Sequence, residues 1–200
     1  KSSRRTEFDE DQFVQFYPYL PHLIDLSIDI MTGIRLQPNA PKHLGGSNRT
    51  IIKQSFEMLV SDRTRLADQP LGALVSIDKI YELVEGNTPS EKQKDILDIR
   101  QRFDDDKSYP GMAARVAKAI CLMEFAKTDL PRTTKNIAAL LVQHVDEAPP
   151  TLAVAAVLER LKEAQFVRET EDGWKLQTAQ EKNWEQEKRG QPETGREQLR

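Results

Sequence analysis

The sequence predicts a mainly α protein: a multi-helix bundle followed by a winged-helix unit with a small β-hairpin. Three observations predict it. Gly111 to Lys127 is the most apolar stretch and reads as a buried central helix. Before it, apolar residues recur at helical spacing in segments broken by proline and glycine. After it, two short helix-like segments lead into two strand-like runs, the element order of a winged helix.

Lys1 to Gln12 is charged and reads as a flexible N-terminal segment. Phe13, Val14, Phe16, Tyr17 and Tyr19, interrupted by Pro18 and Pro21, suggest a turn entering a helix. Pro21 suits the first helical position, and Leu23, Ile24, Leu26, Ile28, Ile30, Met31 and Ile34 carry that helix to about Arg35. Gln37 to Gly46 is loop. Ser47 is a good N-cap for a long helix from Asn48 to about Ala67, with Ile51, Ile52, Phe56, Leu59 and Val60 in phase. Ser76 caps a shorter helix ending at Gly86-Asn87, and Thr88-Pro89-Ser90-Glu91 starts another that ends in Asp104-Asp105-Asp106. Those three carboxylates lack the alternating spacing and glycine turn of a calcium loop and read as a solvated helix end.

In the central segment, Met112, Val116, Ala119, Ile120, Met123 and Phe125 spread around most of the helix at 100° per residue, so neighbours must cover more than one side. Pro110-Gly111 punctuates its start and Leu130-Pro131 follows its end. Thr133 or Thr134 caps the next helix, carrying Ile137, Leu140, Leu141 and Val145, and Pro149-Pro150-Thr151 opens one carrying Val154, Val157, Leu158 and Leu161. Phe166-Val167-Arg168 and Trp174-Lys175-Leu176 form the hairpin, with Gly173 at its turn. Thr178 starts a last helix to about Arg189, and Gly190 to Arg200 reads as disordered tail or linker. The expected organisation is therefore a flexible segment over 1–12, a helical lid-like domain over 13–108, a central helix plus winged helix over 109–189, and a tail over 190–200.

A chain of 200 residues can bury a sizeable core without staples, and its single cysteine, Cys121, lies inside the apolar helix as a small buried hydrophobe. No apolar run approaches a membrane span and no signal peptide is evident, so no membrane partner and a cytoplasmic location are expected. The chain opens with Lys1 in polar sequence, as a piece of something longer would. Net charge is -3 with 30% charged residues, which gives no global attraction for a polyanion.

There is no GxxxxGK[ST] loop, no GxGxxG fingerprint and no nucleophile elbow, so no catalytic residue is assigned and the isolated chain is not expected to be an enzyme. His22, His43 and His144 lack ligand spacing, and no metal is assigned. A winged helix invites a DNA-binding reading through Arg160, Lys162 and Lys175. The charges oppose it: from Thr133 to Thr178 five basic residues face seven acidic ones, a difference of -2. Glu159 and Glu163 offset Arg160 and Lys162, and the wing tip Glu169 to Asp172 repels phosphate. The same three basic residues can equally contact protein. Separately, Gly45-Gly46 and Arg49 at a helix start can receive an anion such as phosphate.

The runs PKHLGGSNRTIIKQSF and LGALVSIDKIYELVEG, the Thr133 to Leu141 helix, and WKLQTAQEKNWEQE resemble, in order, the C-terminal half of the large P-loop ATPase of BREX bacteriophage-resistance systems and its phage-growth-limitation relatives. That family is similar to AAA+ and origin-recognition-type ATPases, in which a helical lid and a winged helix follow the nucleotide-binding core. The resemblance implies a fragment serving ATP-driven assembly or remodelling of a DNA-associated complex. ATP and Mg would be bound by the parent and by no site of this fragment alone. It further implies other defence-system proteins, or further copies, as partners, with weak DNA contact at most. The family has a basic residue where this sequence has Gly46 and acidic residues at Ala179-Gln180, so only Arg49 is carried over, as a nucleotide-sensor candidate. The rival class is a stand-alone winged-helix adaptor or DNA-binding regulatory module without nucleotide.

Overall fold

The structure, a computed structural model, describes residues 7–37, 47–103, 105–126 and 130–177, the side chains of 47–51 excepted. Among them are eight α-helices and one two-stranded antiparallel sheet: α1 (Glu10–Phe16), α2 (Pro21–Arg35), α3 (Ser47–Val60), α4 (Ile77–Val84), α5 (Ser90–Arg102), α6 (Met112–Met123), α7 (Thr134–Leu140), α8 (Thr151–Glu163), β1 (Val167–Thr170) and β2 (Gly173–Leu176). The fold is mainly α, a helical bundle followed by a small hairpin, as the hydrophobic spacing predicts.

The central segment becomes α6, in which nine residues, Ala113 through Met123 apart from Arg115 and Lys118, are buried. It packs on α4, α5, α7, α8 and β2, and one continuous hydrophobic core runs from Tyr19 to Leu176 around it. Its charged residues are matched from three directions. Arg115 Nε donates to Asp78 Oδ2 at 2.9 Å and its Nη2 to the Leu141 carbonyl at 2.6 Å. Lys118 pairs with Glu82, and Lys92 with Glu124 at 2.5 Å. Cys121 is fully buried, and burial, its largest influence, pushes the thiol up to about 12, which leaves it unreactive.

α2 reaches this core through Gly33. A Cβ there would fall on the Phe125 carbonyl just past α6, so only glycine permits the two backbones to approach this closely. A second seam joins the bundle to the α7–α8 connection: Leu74 N donates to Gln143 O at 2.8 Å and Val145 N to Gly72 O at 2.9 Å, a short bridge centred on Ala73 and His144.

Four elements differ from expectation. The aromatic stretch entered as a turn is the short helix α1, because Asp9 and Gln12 form a capping box, with Gln12 N donating to Asp9 Oδ1 at 2.8 Å. α3 ends at Val60 instead of near Ala67, since Thr64 Oγ1 donates to the Met58 carbonyl at 2.8 Å and Arg65 turns left-handed at φ 41. Ser76 stands at the N-cap of α4 yet makes no capping bond; its hydroxyl is buried without a partner. α7 stops at Leu140, before Val145, which leaves the helix to join the seam. Thr133, by contrast, caps α7 through the Asn136 amide at 3.2 Å. The helix expected from Thr178, the loop from Lys42 to Gly46 and the tail fall outside the described residues.

Replacing Gly33 by alanine should destabilise the protein by about 1 to 3 kcal/mol or more in urea titration, because the clash is with backbone that cannot rotate away. Gly86→Ala, where an added Cβ meets nothing within 4 Å, should change the midpoint little. Ile120→Asp places an unpaired carboxylate at a fully buried position and should abolish the cooperative transition; a folded mutant would place the core elsewhere.

Candidate interaction surface

The C-terminal unit is built from α6, a one-residue strand, α7, α8 and the hairpin. Val167 pairs with Leu176, Arg168 with Lys175, Glu169 with Trp174 and Thr170 with Gly173. Arg132 supplies the extra strand position: its N–H donates to Asp172 O at 2.8 Å, its carbonyl accepts from Trp174 N at 2.9 Å, and its Nε donates to Trp174 O at 2.7 Å. Gly173 is required at this junction, with φ 94 and a Cβ site that would strike the Arg132 carbonyl. The sequence reading missed this strand; its only signal was Leu130-Pro131, whose pre-proline restriction favours extended chain. Helix, short strand, two helices and hairpin together give the winged-helix arrangement.

The hairpin is fastened from its buried side. Trp174 Nε1 donates to Thr134 Oγ1 at 3.2 Å, Leu176 N to Glu124 Oε1 at 3.2 Å, and Phe166 meets Phe103 edge-on at 6.5 Å. This fixes which side of α8 faces outward. Val154, Val157, Leu158 and Leu161 are buried, so the opposite line of the helix carries Leu152, Ala156, Glu159 and Glu163. Leu152 is 86% exposed. No basic residue stands on this line, and the wing beside it ends in Glu169, Glu171 and Asp172.

The basic residues singled out in the sequence occupy the flanks. Arg160 pairs with Asp106 in the α5–α6 connection, and its guanidinium lies 5.3 Å from the Phe103 ring centre. Lys162, about 160° away around the helix, has its ammonium 5.7 Å from the Trp174 ring and 3.7 Å from Glu159. Lys175 is half-buried on the hairpin face opposite Trp174, across from Arg168. The structure thus does not align the three along the outward line of α8. Arg49 falls in the first turn of α3, and its side chain is outside the described residues.

Beyond the winged helix, α3 presents Ile52, Phe56 and Val60 at four-residue spacing, 72%, 62% and 56% exposed. Among the described residues no group of three His, Cys, Asp or Glu is placed to hold a metal ion, and no helix is long and apolar enough to cross a membrane. No family model matches the chain, and no solved structure matches it significantly.

Asp106 offers a pH test of the α8 brace. Burial pushes its carboxyl up, but hydrogen bonds from the Ser108 amide, Arg160 and the Tyr109 amide together hold it below the ordinary carboxylate range. A lowered folded-state value stabilises above the unfolded carboxylate value of about 4, and that contribution fades as pH falls through the folded value. Asp106→Asn should therefore lower the urea midpoint at neutral pH, with the difference from wild type closing on acidification below about pH 4. A pH-independent difference would mean the carboxylate charge is not what holds Arg160.

Proposed function

We propose that this chain is the helical lid and winged-helix portion of a phage-defence ATPase, resembling the large BREX ATPase, and that its winged helix docks protein instead of reading DNA. The outward line of α8, with Glu159 and Glu163 where a duplex reader needs phosphate-neutralising charge, carries the second half of this reading. Acid at these positions meets the DNA backbone with like charge, whereas Leu152 and Ala156 beside it suit a protein surface.

The first half is supported by element order and by α3. A helical bundle packed through one central helix onto a winged helix is the arrangement expected of pieces that follow a nucleotide-binding core. Helical register puts position 49, in the first turn of α3, on the side that carries Ile52, Phe56 and Val60. A lid helix that presses an apolar stripe on a neighbouring core would bring Arg49 to the nucleotide there. Without a phosphate loop of its own the chain hydrolyses nothing alone; ATP and Mg belong to the parent, in the cytoplasm, with other defence-system proteins or further copies as partners.

Fluorescence anisotropy of a short labelled duplex across a salt series tests the docking half. Only weak binding at physiological salt is expected, without sequence preference. Submicromolar binding with a steep slope, each neutralised phosphate adding about 0.9 to it, abolished by Arg160→Glu with Lys162→Glu, would hand the case to a DNA-binding regulatory module. In the full-length parent, Arg49→Ala should lower ATP turnover strongly while leaving the melting temperature near wild type. Unchanged turnover would reduce Arg49 to a surface residue.

A further inference from the structure

The first two helices enclose a site that the winged-helix reading does not use. α1 and α2 meet at the Tyr17 to Leu20 corner, and between them lies an open cleft of about 210 Å3 lined by Glu7, Phe8, Gln12, Phe16, His22 and Asp25. Positions 8, 12 and 16 repeat every four residues along the α1 side, while 22 and 25 line the cleft from the first turns of α2. The Phe8 ring lies 6.4 Å from His22 and 6.2 Å from Phe13, so part of the wall is aromatic. Phe8 and Phe16 remain 38% and 41% exposed, although rings of this size are ordinarily covered.

On α1, α2 and the corner between them the described charge is acidic as far as Ile34, while Lys1, Arg4 and Arg5 precede it outside the described residues. Residues 7–34 hold six acidic side chains, Glu7, Asp9, Glu10, Asp11, Asp25 and Asp29, and no lysine or arginine. Two of them, Glu7 and Asp25, line the cleft itself. Aromatic faces attract cations through the ring quadrupole, and carboxylates add direct Coulomb attraction. An anion would be repelled, and a purely apolar ligand would leave the carboxylates desolvated without recompense. A divalent metal ion demands a set of oxygen or nitrogen ligands, and among the described residues no group of three is placed to provide one. What suits rings and carboxylates together is an organic cation, with a weakly hydrated charge and an apolar stem.

We propose that the α1–α2 cleft binds a single guanidinium or alkylammonium group, carried either by an arginine or lysine side chain of a partner protein or by a small free amine. Phe8, Phe16 and His22 supply the stacking walls, and Asp25 and Glu7 the counter-charge. The site is independent of the winged helix, so its test does not depend on the reading given above.

The experiment is a nitrogen-15 NMR titration of the whole chain with three probes: N-ethylguanidine, a capped Gly-Ser-Arg-Ser-Gly peptide, and the same peptide with glutamine for arginine. Saturable shifts at residues 8, 12, 16, 22 and 25 are expected with the first two probes and none with the third. Asp25→Asn and Phe16→Leu should each weaken binding about threefold to fivefold while the rest of the spectrum stays in place. Should Asp25→Asn disturb the fold, Glu7→Gln, at an exposed position, replaces it. Tighter binding of the arginine peptide than of N-ethylguanidine assigns the cation to a partner side chain; equal affinity assigns it to a free amine. Shifts spread over the acidic surface generally, shifts insensitive to the substitutions, or no saturable shift with either cation would overturn the proposal.

Discussion

A helix covered on every side can carry charge only where its neighbours supply the opposite charge, and α6 is such a helix. Its apolar residues leave no water-facing stripe, yet Arg115 and Lys118 lie within it and Glu124 follows directly. Two elements match them: α4 supplies Asp78 to Arg115 and Glu82 to Lys118, and α5 supplies Lys92 to Glu124. An unmatched partner would be left charged and desolvated, at a cost larger than the intact pair contributes. The pairs therefore act less as sources of stability than as constraints on where α4 and α5 can sit. Glu124 extends the constraint to the hairpin, because its second oxygen accepts the Leu176 amide. One helix thus sets the placement of both halves of the chain.

The seams that lie away from α6 rely on backbone contact instead of charge. At Gly33 the α2 backbone approaches the Phe125 carbonyl, and at Ala73 and His144 the bundle shares a pair of amide hydrogen bonds with the turn between α7 and α8. Backbone groups in contact have little freedom to adjust, in contrast to long side chains. The orientation of α8 follows from these fixings. Its apolar side packs against α6 and α7, Arg160 is drawn towards Asp106, Lys162 towards Trp174, and what remains outward is Leu152, Ala156, Glu159 and Glu163.

Much of the architecture was legible in the sequence because it rests on local signals. The 3.6-residue apolar period gave α2, α5, α6 and α8 nearly in full, the prolines and glycines between them marked the breaks, and Thr133 capped α7 as its residue type suggests. The failures share a physical cause, tertiary contacts overriding local preference. Helical spacing ran on past Val60, but the Thr64 hydroxyl turning back on Met58 ended α3 early. Ser76 had the right identity for a cap, and its hydroxyl was instead enclosed by the core. The Arg132 strand was invisible, since a one-residue bridge has no period to detect. For the interaction surface, residue types were readable but directions were not: Arg160 and Lys162 stood out as cations, and nothing in the sequence showed that Asp106, fifty-four positions earlier, would hold one of them.

A winged helix offers an exposed helix and a projecting hairpin, and the same outline serves duplex recognition or protein docking according to which side chains lie on the outward line. One residue of helical register sets which side chains lie on that line here. Glu159 and Arg160 are neighbours in sequence but about 100° apart around α8, so fixing the buried line at Val154, Val157, Leu158 and Leu161 sends the carboxylate outward and the guanidinium to the flank. Had the buried line been shifted by one position, the outward face would carry Arg160 and the phosphate-binding reading would gain its missing charge. The placement of α8, traced back through Phe103, Asp106 and Trp174 to the elements held by α6, is what makes this surface acidic and apolar instead of basic.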